Sequence, residues 1–264
     1  MIESVKKRRP GFISRKGMLR KGLRIAFTYA VGREKCTCCG KETFDKPVCR
    51  NCIEKHLMTF IPPGEERCTV CGKVLLSEKG TCTVCRTKQI IKTPDSVFPL
   101  FSYRLWHKKL LSEWKLHGRR ALSSLFASLF YDALEKKNLS RENSFIVPVP
   151  PRPGKIRREG WDQIRELASF LSSDYGYRVF PLLKRLTVNQ QKEKNRQERI
   201  KSEGFSYRPE KDALETVKKE GLSEKEAVLI DDVITTGVTV EECSRHLREL
   251  GIRKVHVLSI FIVD

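Results

Sequence analysis

The chain carries the stretch AVLIDDVITTGVT at residues 227–239, which predicts the central unit of the fold. Four apolar residues in a row are typical of a parallel strand that is covered on both faces. A helix is expected to follow from Glu241 to Leu250, with Gly251 closing it. A strand that enters a helix through a Thr-Thr-Gly loop gathers backbone N–H groups, hydroxyls and the positive end of the helix dipole. The sequence therefore predicts a phosphate-binding loop at residues 235–239.

Two adjacent aspartates, Asp231 and Asp232, precede this loop. Carboxylates beside a phosphate would repel it unless they bind something else, such as sugar hydroxyls or a metal ion. Gly237 is expected to let the backbone approach a phosphate closely, because a Cβ would obstruct it. The pattern favours a ligand-binding loop over an ordinary acidic turn.

Positive charge is concentrated in the first part of the chain. The 264 residues carry a net charge of +20, and residues 1–120 hold 27 Lys and Arg against 10 Asp and Glu. Residues 121–264 are nearly balanced, with 25 against 22. A one-sided basic surface indicates a nucleic-acid partner, with acidic lipid headgroups as the lesser alternative.

The sequence predicts a cytoplasmic protein. No apolar run is long enough to span a bilayer, and no hydrophobic signal-peptide segment follows the basic start at residues 1–10. Cytosolic thiols are kept reduced, so the ten cysteines are expected to be metal ligands more than disulfides.

Eight cysteines form four pairs in which two residues separate the cysteines. Two such pairs make one tetrahedral four-thiolate zinc site, so the sequence predicts two structural zinc ions. Sequential pairing is preferred, and a crossed arrangement of first with third and second with fourth is the alternative. Cys38 is expected to be a spare thiol, and Cys243 a core residue. The predicted ligands are Cys36, Cys39, Cys49, Cys52, Cys68, Cys71, Cys82 and Cys85.

The order of patterns predicts three parts: a basic arm and helix at residues 1–35, a double zinc ribbon at 36–92, and an α/β domain at 93–264. Residues 86–99, which contain two prolines, are expected to be a linker. Strands that alternate with helices after it predict a mostly parallel sheet, flanked by helices, with ligands at the carboxyl ends of the strands. The polar stretch 187–204 is expected to be a mobile loop or an exposed helix.

These motifs, in this order, resemble the competence protein F family, which joins a double zinc ribbon to a type I phosphoribosyltransferase domain. The resemblance covers roughly residues 30–262. Besides the cysteine pairs and the 227–239 stretch, it depends on Val147-Pro148-Val149-Pro150, on Arg157 with Gly160-Trp161-Asp162-Gln163, and on Thr187, Gln190, Arg196, Arg199 and Gly204-Phe205. The family usually has an arginine directly before Gly-Phe-Asn-Gln, whereas this chain has Glu159 there.

The resemblance implies a protein that binds 5-phosphoribosyl 1-pyrophosphate (PRPP) together with Mg²⁺. Asp231 and Asp232 would hold the ribose hydroxyls. The 5-phosphate would be wrapped by Thr235, Thr236, Gly237, Val238 and Thr239. An enzyme of this class displaces pyrophosphate from C1, and the leaving diphosphate would be neutralised by Arg157 and Arg158 and, on a closed loop, by Arg196 and Arg199.

The resemblance also implies partners. Members of the family are associated with single-stranded DNA in natural transformation, so single-stranded nucleic acid and a DNA-uptake helicase or channel protein are expected partners. Two alternatives stay open: a nucleic-acid-binding adaptor that keeps an inactive transferase fold, and a nucleotide-salvage phosphoribosyltransferase.

Overall fold

A computed structural model describes residues 34–43, 46–57, 66–186 and 206–263. The basic arm, the helix predicted at residues 18–30 and the polar stretch 187–204 lie outside these residues. Within the described part of the chain, no helix is both long and apolar enough to cross a lipid bilayer.

The cysteine-rich part consists of two similar modules. In the first, β1 (Glu34–Lys35) pairs antiparallel with β2 (Glu42–Thr43), and α1 (Arg50–His56) follows. In the second, an isolated antiparallel bridge joins Arg67 to Val74, and α2 (Thr83–Thr87) follows. Each helix begins directly after the first cysteine of the module's second pair, so both modules repeat one ribbon-and-helix plan.

Four parallel strands form the main sheet. They are β3 (Ser96–Ser102), β4 (Ser144–Pro148), β7 (Glu226–Ile234) and β8 (Lys254–Ile262), in the order β3-β8-β7-β4. The predicted α/β class, with a mostly parallel sheet flanked by helices and preceded by a cysteine-rich module, is confirmed.

The helices that flank the sheet are α3 (Leu105–Lys115), α4 (Ala121–Lys136), α6 (Gln163–Tyr175), α7 (Ala213–Lys219) and α8 (Val238–Glu249). A short helix, α5 (Lys155–Glu159), follows β4, and a 3₁₀ turn (Leu222–Glu224) precedes β7. A small antiparallel hairpin pairs β5 (Leu183–Arg185) with β6 (Tyr207–Pro209).

Alternate residues of β7 enter two separate hydrophobic cores. Val228 and Ile230 belong to the core that contains Trp114 and Phe126, whereas Leu229 belongs to the opposite core. Period-2 alternation sends neighbouring side chains to opposite faces, so a strand that is apolar throughout is buried on both.

Each cysteine module packs into a different one of these cores. Cys36 and Cys52 belong to the core that contains Trp114, while Cys68 and Cys82 belong to the other. The two modules are therefore built into opposite sides of the α/β fold.

Polar contacts add to this packing. The His107 ring on α3 lies between the carbonyl oxygens of Ser102 and His56, 3.0 Å from each. In the second module, the Arg67 guanidinium donates to the carbonyls of Gly72 and Pro99, both at 2.9 Å. Contacts thus cross the point at residue 92 where the sequence places a domain boundary, and that division stays a prediction.

The linker predicted at residues 86–99 is wrong at its carboxyl end, because the edge strand β3 starts at Ser96. Pro99 hid this strand, since a proline in an apolar run argues against a central strand but is tolerated at an edge. The predicted helix after the phosphate loop begins at Val238, three residues earlier than expected, and β7 continues through both aspartates to Ile234.

Gly72 and Gly40 offer a matched test of how the second module docks. Both lie in the left-handed region, at φ of +73° and +75°, so alanine costs each about 1 kcal/mol of backbone strain. A Cβ on Gly72 would also lie 2.3 Å from the Val97 carbonyl oxygen, whereas a Cβ on Gly40 would meet nothing within 4 Å. We expect Gly72→Ala to lower the free energy of unfolding by about 1–3 kcal/mol more than Gly40→Ala, measured by thermal denaturation. Equal losses would contradict the docking contact.

Candidate metal centres and ligand cleft

The structure brings the eight paired cysteines together as two groups of four, in sequential order. One group is Cys36, Cys39, Cys49 and Cys52, and the other is Cys68, Cys71, Cys82 and Cys85; in each, the Sγ atoms lie within 4.8 Å of one another. A tetrahedral zinc ion with Zn–S bonds of about 2.3 Å places its sulfurs about 3.8 Å apart. The Sγ–Sγ distances of 3.7 Å between Cys39 and Cys49 and 3.8 Å between Cys71 and Cys82 match that spacing. Both groups could bind zinc.

Backbone N–H groups prepare one sulfur in each group for a metal. The Cys49 N–H donates to Cys36 Sγ at 3.2 Å, and the Cys82 N–H donates to Cys68 Sγ at 3.3 Å. Burial raises the pKa of both thiols, but hydrogen bonds from neighbouring cysteines outweigh it and lower the pKa of Cys36 to about 6 and of Cys68 to about 7. The thiolate is the metal-binding form, so Cys36 and Cys68 are the sulfurs best prepared for a cation.

The two remaining cysteines lie outside these groups. Cys38 is buried, and burial followed by the nearby Cys36 raises the pKa of its thiol to about 12. Cys243 is fully buried on α8, where burial raises its thiol pKa well above the usual value. Both positions suit packed, protonated thiols.

A cleft of about 930 Å³ lies at the carboxyl ends of β4 and β7. It brings together residues that the sequence predicts as one site and others that it does not. From the predicted set, its walls include Asp231, Asp232, Thr235, Thr239 and Arg158; further wall residues are Lys115, Arg152, Lys155, Gln163, Arg185 and Tyr207.

Asp232 is the most tightly held group in the cleft. Its Oδ2 accepts from Lys115 Nζ and from Gln163 Nε2, both at 2.7 Å, and the residue is 5% exposed. Gln163 Oε1 in turn accepts from Lys155. Lys115 thus pairs with the buried carboxylate, and Gln163, itself held by Lys155, positions it.

The Asp231 carboxyl has a raised pKa. Burial and then the charge of Asp232 raise its pKa well above the usual value, while the Asp232 N–H, at 2.8 Å from Oδ1, and Lys115 oppose the rise. A carboxyl whose proton affinity is raised can donate or accept a hydrogen bond, which suits contact with hydroxyl groups.

The loop at residues 235–239, which the sequence predicts to bind phosphate, has two faces. Thr235 and Thr239 line the cleft, whereas Thr236 and Gly237 line a smaller cavity beside the second cysteine module, and Val238 is 49% exposed. Gly237 lies at φ +86°, and a Cβ there would be 2.6 Å from Ile91 Cγ1. Besides any approach to a phosphate, this glycine is therefore required by the backbone turn and by the packing of Ile91.

A carboxylate ties the same region to the segment after the second module. Glu241, in the first turn of α8, accepts from the backbone N–H groups of Lys92 at 2.7 Å and Thr93 at 2.9 Å, and from the Thr93 hydroxyl at 2.6 Å. These three hydrogen bonds to one carboxylate fix α8 against residues 92–93.

Only part of the set of arginines predicted to bind pyrophosphate can be compared with the cleft. Arg158 lines the cleft, whereas Arg157 is exposed and does not; Arg196 and Arg199 lie outside the described residues. Sequence reasoning did not assign Lys155, Arg152 or Arg185 to the site, although Lys155 is on α5 with Arg158 and Arg152 precedes this helix by three residues.

Asp162 does not act as a free negative charge in the cleft. Its Oδ1 accepts the Arg165 N–H at 2.9 Å and so caps α6, and its Oδ2 pairs with Lys155 Nζ at 2.9 Å. This aspartate is a helix cap neutralised by a lysine, and an aspartate directly before an amphipathic helix is a local signal for such a cap.

The fold and site define an α/β protein with two four-cysteine centres and a polar cleft at the carboxyl edge of its sheet. Over 217 residues, the chain is 29% identical to the competence protein ComFC of Streptococcus pneumoniae (strain ATCC BAA-255 / R6), covering 82% of this chain and 88% of that protein. Over 175 residues it is 27% identical to the competence protein ComFC of Bacillus subtilis (strain 168), covering 64% and 67%. No family model matches the chain. With the two cysteine groups, these similarities confirm the resemblance to the competence protein F family.

Cys36 and Cys38 allow a matched test of the metal ligands. We expect the wild-type chain to hold two zinc ions. Cys36→Ser or Cys68→Ser should hold one, because a four-thiolate site loses zinc affinity when one thiolate is removed. Cys38→Ser should keep both, since its sulfur lies outside the groups. Elemental analysis of the purified proteins measures this, and two zinc ions in Cys36→Ser would contradict the ligand assignment.

Proposed function

We propose that the chain binds PRPP in the cleft as a phosphoribosyltransferase-family protein and acts in competence-like DNA uptake or processing. The observation that carries the proposal is the meeting of Asp231, Asp232, Thr235 and Thr239 in one cleft with Arg152 and Arg158. The two acids suit the ribose hydroxyls, the loop suits the 5-phosphate, and the two arginines suit the diphosphate, so each part of PRPP has a matching group.

The acidic pair has the chemistry for the ribose. Lys115 and Gln163 occupy Asp232 Oδ2, so its other oxygen and the Asp231 carboxyl are the groups left to meet two neighbouring hydroxyls. The cleft floor thereby offers acceptors for the sugar while the lysine keeps the total charge low.

Mg²⁺ would enter with the ligand. It prefers six oxygens and keeps several waters, so pyrophosphate and ribose oxygens would supply most ligands, with the acidic pair nearby. When bound, the ion would neutralise diphosphate charge. The donor set of carboxylate oxygens fits a hard cation of this kind.

In a transferase reaction, pyrophosphate leaves C1 of PRPP and an acceptor nucleophile takes its place. Arg158 and Arg152 would stabilise the charge that develops on the departing diphosphate. The acidic pair and the phosphate loop would hold the ribose 5-phosphate in place while the bond to pyrophosphate breaks.

Asp232→Asn tests the ligand site. Removal of the charge leaves Lys115 without its carboxylate and alters the contacts to the sugar, so we expect PRPP to bind at least about tenfold more weakly, equivalent to about 1.4 kcal/mol. The measurement is calorimetric titration of zinc-loaded protein with PRPP and Mg²⁺, with and without single-stranded DNA.

Asp174→Asn is the matched control, because Asp174 is also a buried aspartate but lies outside the cleft walls. Its variant should bind PRPP as the wild type does. Equal affinity in all three proteins would contradict the cleft assignment, and absence of binding in the wild type would leave the fold as a scaffold for the adaptor function.

The DNA part of the proposal has its own support. The two relatives are named competence proteins, which supports a competence-related role. Beside the first cysteine module, Trp106 is 41% exposed, with Lys109 Nζ 5.8 Å from its ring centroid and the His56 ring at 5.5 Å. An exposed aromatic ring beside a cation is a usual platform for bases of single-stranded nucleic acid.

Variants of this platform should differ in their response to salt. Trp106→Ala removes stacking, so we expect about fivefold weaker binding of single-stranded DNA with an unchanged log–log salt slope. Lys109→Met removes one phosphate contact and should reduce that slope by about 0.7. Fluorescence anisotropy across a salt series measures both. Leu214→Ala changes an exposed apolar residue on α7 and is the control; if Trp106→Ala bound DNA as this control does, the platform would be excluded.

A further inference from the structure

The β5–β6 hairpin places an arginine at the edge of the cleft. Arg185 is the last residue of β5 and pairs in register with Tyr207, the first residue of β6. The guanidinium carbon lies 5.3 Å from the centroid of the Tyr207 ring, and both residues line the cleft. Its aromatic neighbour holds the guanidinium plane without neutralising its charge.

Arg185 differs from neighbouring cations in having no acidic partner among the described residues. Lys184, beside it on the same strand, pairs with Glu210 at 3.2 Å, and Arg178 pairs with Glu220. Arg185 is half-buried, and no described carboxylate lies within ion-pair distance of it. A partly desolvated cation without a counter-charge in a cleft wall favours an anionic ligand.

Tyr207 connects Arg185 to the phosphate loop. Burial raises the pKa of the Tyr207 phenol to about 12, and both Arg185 and the Thr239 hydroxyl act against that rise, so the two flank the same ring. The charge of Arg185 also opposes the rise in the pKa of Cys243, one turn along α8 from Thr239. The backbone N–H of Tyr207 also donates to Glu242 Oε1 on α8 at 2.8 Å, so the Arg185–Tyr207 pair lies beside the helix that contains Thr239.

We propose that Arg185 binds the phosphoryl group of the sugar phosphate held by residues 235–239, together with the loop backbone and hydroxyls. The inference rests on the proposed function and adds to it a cation from a separate element. A guanidinium can donate two N–H groups to two phosphate oxygens at once. Arg185 would therefore bind the phosphate from a side that the loop backbone and hydroxyls do not cover. The ligand is a phosphomonoester on a ribose, and the leaving diphosphate stays with the residues around Arg158.

The test compares two fragments of PRPP by calorimetric titration of zinc-loaded full-length protein. In Arg185→Gln, ribose 5-phosphate should bind at least about tenfold more weakly, whereas the affinity for pyrophosphate with Mg²⁺ should stay within about twofold of wild type. Arg185→Lys keeps the charge but loses the two-pronged geometry, so its affinity should lie between those of wild type and Arg185→Gln. Thermal unfolding checks that each variant is folded.

Arg178→Gln is the matched control, because Arg178 also lies over an aromatic ring, at 4.9 Å from the Phe180 centroid, but outside the cleft walls. It should bind both fragments normally. If the wild type bound ribose 5-phosphate and Arg185→Gln bound it equally well, the assignment of Arg185 alone would be overturned. A loss of affinity limited to pyrophosphate would have the same meaning. If the wild-type protein bound none of PRPP, ribose 5-phosphate and pyrophosphate, the proposed function would be overturned as well.

Discussion

The buried charge of Asp232 is the constraint around which the α/β part of the protein is arranged. A carboxylate that is 5% exposed is costly unless it is paired and hydrogen-bonded. Lys115 arrives from α3 and Gln163 from the start of α6, so one interaction joins two helices to the central strand β7. Lys155 extends the network into the loop that follows β4. The hydrogen bonds that position the cleft residues therefore also hold α3 and α6 against the sheet.

The cysteine modules solve a different problem, because short segments with few large apolar side chains need help to fold. Metal binding supplies folding free energy to such segments. Here the modules also contribute buried surface: Cys36 and Cys52 pack in the core with Trp114, and Cys68 packs in the opposite core. These three residues are thereby protected from solvent, and the core on each face of the sheet is enlarged.

Local patterns in the sequence predict part of this fold and site. The apolar run before Asp231, the Thr-Thr-Gly loop and the spacing of the cysteine pairs are short-range signals, and the structure has the strand, the loop and the sequential groups they predict. Strand β3 was missed because Pro99 breaks the local pattern and its partner β8 is about 160 residues away. Local patterns do not predict Lys115 or Arg185 as cleft residues, since each reaches the cleft through tertiary packing that no local spacing encodes.

Glu241 has a consequence for how such a protein can change during evolution. Its carboxylate binds the backbone of residues 92–93, and Ile91 covers Gly237, so the segment after the second module supports the loop at residues 235–239. A recombination event that exchanged the cysteine-rich half and altered the path of residues 91–92 would remove the Ile91 contact to Gly237 and the Lys92 N–H that binds Glu241. The two halves are expected to be inherited together, and grafting either onto a foreign chain would require a substitute for this contact.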